Sequence, residues 1–283
     1  MSAIDIEIRE AVHFEQAERM STAELRRHFL VEDLFRPGRG KLVYTHYDRM
    51  VLLGLMPTDA PLAFGPELGE LVRTPFFLAR RELSVVNIGG PGRIVADGLG
   101  YELLKDDVLY LPRGTERVAF ESEAAADPAK FYGTSAPAHA TYAPRLLKAA
   151  QIAGAELGSA GAANRRLRAN YVDPDNLDAC QVMMGSTRLQ HGSVWNSMPP
   201  HVHDRRMEAY LYYDLPAGEA LVHLMGRPHE TRHIMVHDGQ AVISPPWSIH
   251  CGCGTSNYAF IWAMAGDNQV FNDMDAAPVA SLL

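Results

Sequence analysis

The sequence predicts an all-β protein in which one chain forms two jelly-roll-like β-barrels with a few short helices. From residue 41 onward, short runs rich in Val, Leu and Tyr alternate with turns of Gly, Pro and Asp, as in sandwiches and barrels. This pattern occurs twice, over residues 41–136 and 169–283. Only the second stretch contains a His-x-His pair, which sits in a strand-like context. These observations predict two similar barrels with chemistry in the second.

Residues 1–40 are predicted to be a helical and extended segment. Ser21 and Glu24 have the spacing of a capping box, and apolar residues recur at helical intervals in the following LRRHFLVEDLF. We expect a helix that begins at this box. It should end by residues 36–38, where Pro and Gly act as helix breakers.

The remaining elements are expected in the order of the chain. Residues 41–136 form the first barrel, with strands in LVYTHYDRMVLLGLM, FFLARRELSVVNIGG and GRIVADGLGYELLKDDVLYLPRG. Residues 137–168 are rich in Ala and Gly, which predicts an exposed connector with a candidate helix in LLKAAQIAGAELGSAGAANRR. Residues 169–283 form the second barrel, with strands in CQVMMGSTRLQ, EAYLYYDL, EALVHLMG, TRHIMVHDGQAVISPPW and NYAFIWAMAG.

The two β-rich stretches resemble each other in detail. The words KDDVLYLPRGTER and HDGQAVISPPWSIH align when Pro112 is placed on Pro245, and Arg117 then falls on His250. The alternative is that short β-rich words look alike by composition alone. We interpret the similarity as a duplicated barrel in which only the second copy keeps a metal site.

Composition limits the classes of function. The 283 residues are 47% hydrophobic and 21% charged, which is enough for a large core. The formal net charge of −8 argues against a nucleic-acid partner, because that requires a basic face. The acidic start of the sequence is unlike a signal peptide, and the chain has no apolar run of membrane-spanning length. A cytoplasmic protein with no membrane partner is therefore expected.

The histidine pair predicts a metal site. His201 and His203, at i and i+2 on a strand, project from one face. Glu208 is odd-spaced from them, so a turn or bulge must intervene, and a second strand brings in His250. Three nitrogens and one carboxylate oxygen suit zinc, iron or manganese. One His-x-His pair can occur by chance among twelve histidines, but the added Glu and distal His favour a metal site.

The cysteines are better explained as buried side chains than as ligands. An odd, sparse set of three, including Cys180, fits a reducing compartment rather than a disulfide framework. Cys251 and Cys253 flank His250, but on a continuing strand they would point away from the face that His250 uses.

The spacing of the ligands resembles that of the cupin superfamily. His201-x-His203-x4-Glu208 matches its first motif, although Gly192 lies early for that motif. The second motif is matched by Gly239-x5-Pro245 followed by His250, with Trp247 at a position that is usually Gly. The ligand spacing is intact, and the resemblance implies two cupin barrels.

Over nearly its whole length the chain is similar to the 5-keto-4-deoxyuronate isomerase family. The words that carry this similarity are ELRRHFLVEDLF, FFLARRELSVVNIGG, PAHATYAP, WNSMPPHVHDRRMEAYLYYDL, ETRHIMV, AVISPPWSIH and FIWAMAGDNQVFNDMD. The resemblance implies conversion of 5-dehydro-4-deoxy-D-glucuronate into 3-deoxy-D-glycero-2,5-hexodiulosonate in bacterial pectin degradation. It also implies one Zn²⁺ per subunit, with Fe²⁺ or Mn²⁺ as alternatives, and a cytoplasmic homohexamer.

Such a ketol isomerisation needs a base and a carboxylate-binding residue. Glu208 is the candidate base, or it remains a metal ligand throughout; Tyr210 shares its strand parity and is a candidate substrate contact or a cavity wall. An Arg fork suits a uronate carboxylate, so Arg205 and Arg165 are candidates, with one member of each Arg-Arg pair pointing inward. Less specific candidates, each with a structural alternative, are His139, His191 and His223 for the base and Trp195, Trp247 and Trp262 for an apolar floor.

Three other functions remain open from the residues. They are a related cupin isomerase acting on 5-deoxyglucuronate in inositol catabolism, an Fe(II) cupin dioxygenase and a non-catalytic sugar-binding cupin. The family-like words outside the metal motif favour the ketol isomerase.

Overall fold

The computed structural model describes residues 3–283, which form two compact units. The first unit contains the N-terminal residues through Arg9, then Asp33–Ile152 and Tyr171–Met183. The second unit contains Glu10–Glu32, Ala153–Asn170 and Met184–Leu283. Neither unit is one continuous stretch of chain, because the helical residues after Arg9 belong to the second unit.

Strands dominate both units. In chain order they begin with β1 Ile4–Arg9, β2 Leu30–Val31, β3 Arg39–Thr45, β4 Val51–Met56, β5 Leu62–Ala63, β6 Arg81–Asn87, β7 Gly92–Ala96, β8 Leu99–Leu103, β9 Val108–Leu111, β10 Val118–Ser122, β11 Phe131–Pro137 and β12 Arg145–Leu147. They continue with β13 Gly154–Leu157, β14 Arg166–Val172, β15 Met183–Leu189, β16 Trp195–Asn196, β17 His201–Val202, β18 Arg206–Tyr213, β19 Leu221–Arg227, β20 Glu230–Val236, β21 Ala241–Ser244, β22 Cys251–Gly254, β23 Ala259–Gly266 and β24 Asp275–Ala276. The predicted all-β class is confirmed.

The helices are short. They are α1 Phe14–Ala17, α2 Thr22–Phe29, α3 Pro66–Leu71 and three-residue 3-10 helices at Phe77–Ala79, Ala149–Gln151 and Val279–Ser281. The capping box predicted for α2 is confirmed, since the Ser21 hydroxyl accepts from the Glu24 N–H and the Glu24 carboxylate accepts from the Ser21 N–H. Helix α2 stops at Phe29, earlier than its apolar pattern suggests, because β2 pairs with β21.

In the first unit, a seven-stranded sheet of order β1-β3-β4-β11-β6-β9-β12 accompanies a four-stranded sheet of order β5-β10-β7-β8. One apolar core takes side chains from both sheets, among them Leu53, Leu83 and Leu111 from the larger and Ile94 and Phe120 from the smaller. The two sheets therefore pack face to face and bury their apolar faces against each other.

The second unit repeats this plan. Its seven-stranded sheet has the order β13-β14-β15-β23-β18-β21-β2, its four-stranded sheet has the order β16-β22-β19-β20, and β17 pairs with β24 in a separate two-stranded sheet. All eight residues of β18 are buried. This strand reaches the four-stranded sheet through a 2.8 Å hydrogen bond between the Tyr212 hydroxyl and His223 Nδ1.

Strand pairing relates the two units position by position. In the first unit Leu83 of β6 lies opposite Leu111, which precedes Pro112. In the second unit Glu208 of β18 lies opposite Ser244, which precedes Pro245. When the two prolines are aligned, a core leucine of the first unit occupies the position of Glu208. The corresponding position in the first unit thus supports apolar packing rather than ligation.

The prediction of a helix in the Ala- and Gly-rich connector is wrong. That stretch contains β12, β13 and one 3-10 turn, and β13 pairs antiparallel with β14 from Gly154↔Ala169 to Leu157↔Arg166. Long-range pairing therefore outweighs the local composition. Across residues 3–283, every helix is too short or too polar to cross a lipid bilayer.

Candidate metal centre

Three short elements position the four predicted ligands. His201 lies in β17, and a turn closed by the Arg206 N–H and the His203 carbonyl oxygen at 3.0 Å leads into β18, which carries Glu208. His250 comes directly before β22, after a turn in which the Ser248 N–H donates to the Pro245 carbonyl oxygen. The expected turn between the histidine pair and Glu208 is present.

The four side chains converge. One possible ligand atom from each of His201, His203, Glu208 and His250 lies within 4.8 Å of the others. Glu208 Oε2 is 2.7 Å from His250 Nε2 and 3.1 Å from His203 Nε2, and the Nε2 atoms of His201 and His250 are 3.1 Å apart. Adjacent ligands of a cation with bonds of about 2.1 Å are themselves roughly 3.0–3.4 Å apart, and two of these three distances fall in that range, whereas the Glu208–His250 distance is shorter.

Hydrogen bonds orient two of the imidazoles toward the cluster. His203 Nδ1 lies 3.3 Å from the carbonyl oxygen of Arg206, and His250 Nδ1 lies 3.3 Å from that of Ser248. A carbonyl oxygen only accepts, so Nδ1 is the donor in each contact, and Nε2 is the ring nitrogen that faces Glu208 in the cluster. This is the outer-shell arrangement usual for histidine ligands of metals.

The donor chemistry of the cluster fits a cation. Burial, followed by neighbouring His250, lowers the pKa of His201 to about 3, so this imidazole is neutral at physiological pH. Two imidazole nitrogens 3.1 Å apart need a proton or a cation between their lone pairs. Burial alone would raise the pKa of Glu208, but the His250 and His203 contacts outweigh it, and the pKa falls below its usual range. This group of four is therefore one that could hold a metal ion.

A cavity of about 220 Å³ opens onto the cluster. Its wall mixes apolar and polar side chains, including Thr187, Ser197, Tyr210, Phe260, Trp262, Met264, Phe271 and Met274. The Tyr210 hydroxyl lies 3.0 Å from the Ser197 hydroxyl, and burial, with Glu208 next in effect, raises the pKa of Tyr210. Tyr210 therefore stays protonated, and its side chain lines the cavity.

The structure separates the arginines of each predicted pair. Arg205 donates to Asp273 at 2.5 Å and to Asp275 at 2.8 Å and does not line the cavity. Arg165 is exposed and 3.9 Å from Glu156, whereas its neighbour Arg166 lines the cavity. The inward arginine at the end of the connector is thus Arg166, and the two arginines chosen from the sequence lie elsewhere.

A segment that the sequence reasoning missed completes the wall. The strap, residues 267–277, contributes Phe271 and Met274 to the cavity, and its strand β24 pairs with β17, placing Ala276 opposite His201. The fully buried guanidinium of Arg206 holds it by donating to the carbonyl oxygens of Val270 and Asp273. Only the similarity of the word GDNQVFNDMD to the isomerase family marked this segment in the sequence.

The other histidine candidates lie outside the cavity wall. His139 and His191 are exposed, and His223 is fully buried beside Tyr212 with its pKa lowered to about 3 by burial. Of the three tryptophans, Trp262 alone lines this cavity in the part of the chain described.

The cysteine thiols are also outside the cluster. Burial raises the pKa of Cys251 to about 12, so its thiol stays protonated at neutral pH, and neither it nor Cys253 belongs to the group of four. A thiolate ligand is therefore not part of this candidate centre.

Fold and site together define a two-barrel cupin whose second barrel carries a three-histidine, one-glutamate cluster that opens onto a cavity. A family model described as KduI/IolB matches residues 40–279. The chain belongs to this family.

Several proteins are similar to the chain over almost its full length. A 4-deoxy-L-threo-5-hexosulose-uronate ketol-isomerase of Pectobacterium carotovorum subsp. carotovorum is 47% identical over 270 residues, covering 95% of this chain and 97% of that protein. The protein of the same description from Yersinia pseudotuberculosis is 46% identical over 277 residues, covering 98% and 100%.

Solved structures share the fold at low identity. An IolB-like protein from Salmonella typhimurium LT2 has a TM-score of 0.67 and 15% identity, covering 80% of this chain and 87% of that one. An oxalate decarboxylase from Lactobacillus farciminis has a TM-score of 0.55 and 10% identity, covering 78% of each. These structures support the predicted two-barrel cupin fold.

Proposed function

We propose that this chain is a ketol-isomerase that converts 5-dehydro-4-deoxy-D-glucuronate into 3-deoxy-D-glycero-2,5-hexodiulosonate in pectin degradation. The observation that carries the proposal is its 46–47% identity, over nearly the whole chain, to proteins described as ketol-isomerases of this uronate. The cluster supports the same conclusion, because an aldose–ketose isomerisation builds negative charge on two adjacent oxygens.

We propose zinc as the resident ion, held by His201, His203, Glu208 and His250, with Fe²⁺ and Mn²⁺ as alternatives. Bound there, a divalent cation supplies electrostatic stabilisation to the paired oxygens of the enediolate. The residues supply its position: the Nδ1 contacts of His203 and His250 fix both rings.

Proton transfer needs a group that removes the proton from C2 of the sugar and returns it to C1. Glu208 is the candidate, because it is a carboxylate that lines the cavity and is ionised in these surroundings. The alternative is that Glu208 remains a metal ligand throughout the reaction and another group transfers the proton. Tyr210 is protonated and lines the cavity, so its hydroxyl would donate a hydrogen bond to a developing alkoxide oxygen of the substrate.

Turnover of the uronate by purified holoprotein tests the proposal. We expect conversion without added redox cofactor, loss of activity on chelation, and recovery on addition of Zn²⁺. A double variant His201→Ala/His203→Ala should lose activity, whereas the exposed His191→Ala should keep it. Full activity in the double variant would refute the cluster as the catalytic centre.

A second candidate is isomerisation of 5-deoxyglucuronate, because the KduI/IolB family description spans both types of protein. Assays of both sugars with one enzyme preparation separate the two by their kcat/KM. Oxygen uptake with bound iron would instead indicate a dioxygenase, and sugar binding without turnover a storage or binding cupin.

From the same resemblance we propose a homohexamer located in the cytoplasm. Light scattering of the purified holoprotein measures the oligomeric state, and a mass other than that of six chains contradicts the hexamer. Cell fractionation measures the location, and recovery outside the cytoplasmic fraction contradicts it.

A further inference from the structure

The cavity beside the cluster carries two guanidinium groups from one strand. Arg166 and Arg168 lie at i and i+2 of β14, so both side chains leave the same face of the sheet, and both line the cavity with Glu208. Leu167 between them points the other way and is 41% exposed. The strand therefore directs two positively charged side chains toward the cavity beside the cluster.

These charges stand in surroundings that favour an anion. The Arg166 guanidinium is half-buried, and its Nη1 donates to the neutral carbonyl oxygen of Asn164 at 2.8 Å. Burial, and then the like charge of Arg168, lower the pKa of Arg166, yet an arginine stays charged at neutral pH. Among the described residues lining the cavity, Glu208 is the one carboxylate, and it contacts His203 and His250. A bound anion would relieve the repulsion between the guanidiniums.

Other arginines near the cluster are committed to structure. Arg205 is paired with Asp273 and Asp275, and Arg206 donates to two carbonyl oxygens of the strap. Both stabilise the strap, and neither lines the cavity. Arg166 thus differs from them in lining the cavity.

We propose that Arg166, with Arg168 beside it, forms the subsite that binds the substrate's carboxylate and thereby selects acidic sugars over neutral ones. The inference rests on the proposed function and adds the orientation of the substrate. In a hexuronate the carboxylate carbon is four C–C bonds from C2, or roughly 5 Å in an extended chain. Because the cavity lined by both arginines also opens onto the His–Glu cluster, a carboxylate held by the guanidiniums directs C1 and C2 with their oxygens toward that cluster.

The proposed subsite acts by binding and orienting the substrate, not by transferring a proton. A planar guanidinium forms two parallel hydrogen bonds to a carboxylate, which fixes both the position and the rotation of that end of the sugar. Loss of the fork should therefore raise KM more than it lowers kcat. Lysine at the same position keeps the charge but loses the second hydrogen bond, so Arg166→Lys should be intermediate.

The test uses zinc-loaded enzyme and the variants Arg166→Met and Arg166→Lys, with Arg165→Met as a matched control one residue away and exposed. We expect KM for the uronate to rise about 10- to 100-fold in Arg166→Met, the range of one charged hydrogen-bonded contact. The Arg165→Met control should stay within about twofold of the wild type. Zinc content and thermal midpoint, measured on each variant, show that the centre and the fold are intact.

Calorimetric titration with D-glucuronate, and with D-glucose as the neutral comparison, provides a second readout that needs no turnover. Glucuronate should bind the wild type and Arg165→Met more tightly than glucose does, and Arg166→Met should lose this preference. If the wild type turns over the uronate while Arg166→Met retains the wild-type KM, the subsite is refuted and the proposed function stands. If no uronate is turned over but the glucuronate preference depends on Arg166, the function fails and the subsite stands. Arg166→Lys keeps the question decidable if Arg166→Met does not fold.

Discussion

Glu82 offers the sharpest test of how the first unit is stabilised. Its carboxylate is fully buried and accepts four hydrogen bonds. Oε1 accepts from the N–H groups of Gln181 and Val182 at 2.6 and 2.7 Å; Oε2 accepts from the Cys180 N–H at 2.7 Å and the Tyr110 hydroxyl at 2.8 Å. Three consecutive backbone donors thus converge on one acceptor group.

Glu82→Gln keeps the shape and removes the charge. The amide oxygen can still accept from Gln181 and Val182, and the Tyr110 hydroxyl can turn to accept from the new amide nitrogen. The Cys180 N–H then faces a donor, which costs about 1–3 kcal/mol, and each of the three remaining bonds loses about 1 kcal/mol of charge assistance. Burial of a neutral amide in place of a carboxylate returns part of this loss. The net loss of unfolding free energy should be about 3 kcal/mol.

Urea unfolding at pH 7, followed by circular dichroism, measures the effect. With a slope of about 2–3 kcal/mol/M, the midpoint should fall by roughly 1–1.5 M. Glu123→Gln is the matched control, because Glu123 is an exposed glutamate of the same unit, and its midpoint should not change. A Glu82→Gln midpoint equal to that of the control would show that the four hydrogen bonds contribute little and would refute the reasoning.

Three further outcomes are expected. Chelation should abolish turnover while far-UV circular dichroism stays native, since we expect the apolar cores of the two units to contribute more to stability than the cluster; unfolding of the chelated protein would contradict this. In Gly185→Ala the new Cβ would overlap the Trp262 ring and the Ala169 carbonyl oxygen, so we expect a loss of about 1–3 kcal/mol and, because Trp262 lines the cavity, a higher KM; Gly161→Ala, with open space around it, is the control. The folded-state pKa of His223, about 3, is below its unfolded value of 6.5, so the unfolded state binds the extra proton and stability falls as pH drops below about 6.5 toward 3. At pH 5.5 this amounts to about 1.4 kcal/mol, and in His223→Gln the loss of unfolding free energy between pH 7.5 and 5.5, measured by urea unfolding, should be smaller by that amount; an unchanged loss would refute it.

The sequence predicted best what depends on local spacing. The capping box at Ser21 predicted the start of α2. Strand parity and the family-like spacing predicted that four side chains converge: His201, His203, Glu208 and His250. Both depend on residues a few positions apart along a helix or strand, together with one partner strand. The roles of the four as metal ligands stay a prediction.

Features decided by distant partners were harder to predict. The choice between Arg165 and Arg166 depends on which face of β14 meets the cavity, and two adjacent arginines carry no signal for that. Helix α2 ended early because β2 pairs with β21 more than two hundred residues away in sequence. The Ala- and Gly-rich connector became strand for the same kind of reason, through the pairing of β13 with β14.

The pairing of β24 with β17 places the strap, which lines the cavity, and His201, a predicted metal ligand, in the same two-stranded sheet. Ala276 of the strap lies opposite His201, and Phe271, a few residues earlier, forms part of the cavity wall. A displacement of the strap would therefore also displace the backbone at His201. The wall of the cavity and the position of one predicted metal ligand are coupled through the backbone of this barrel.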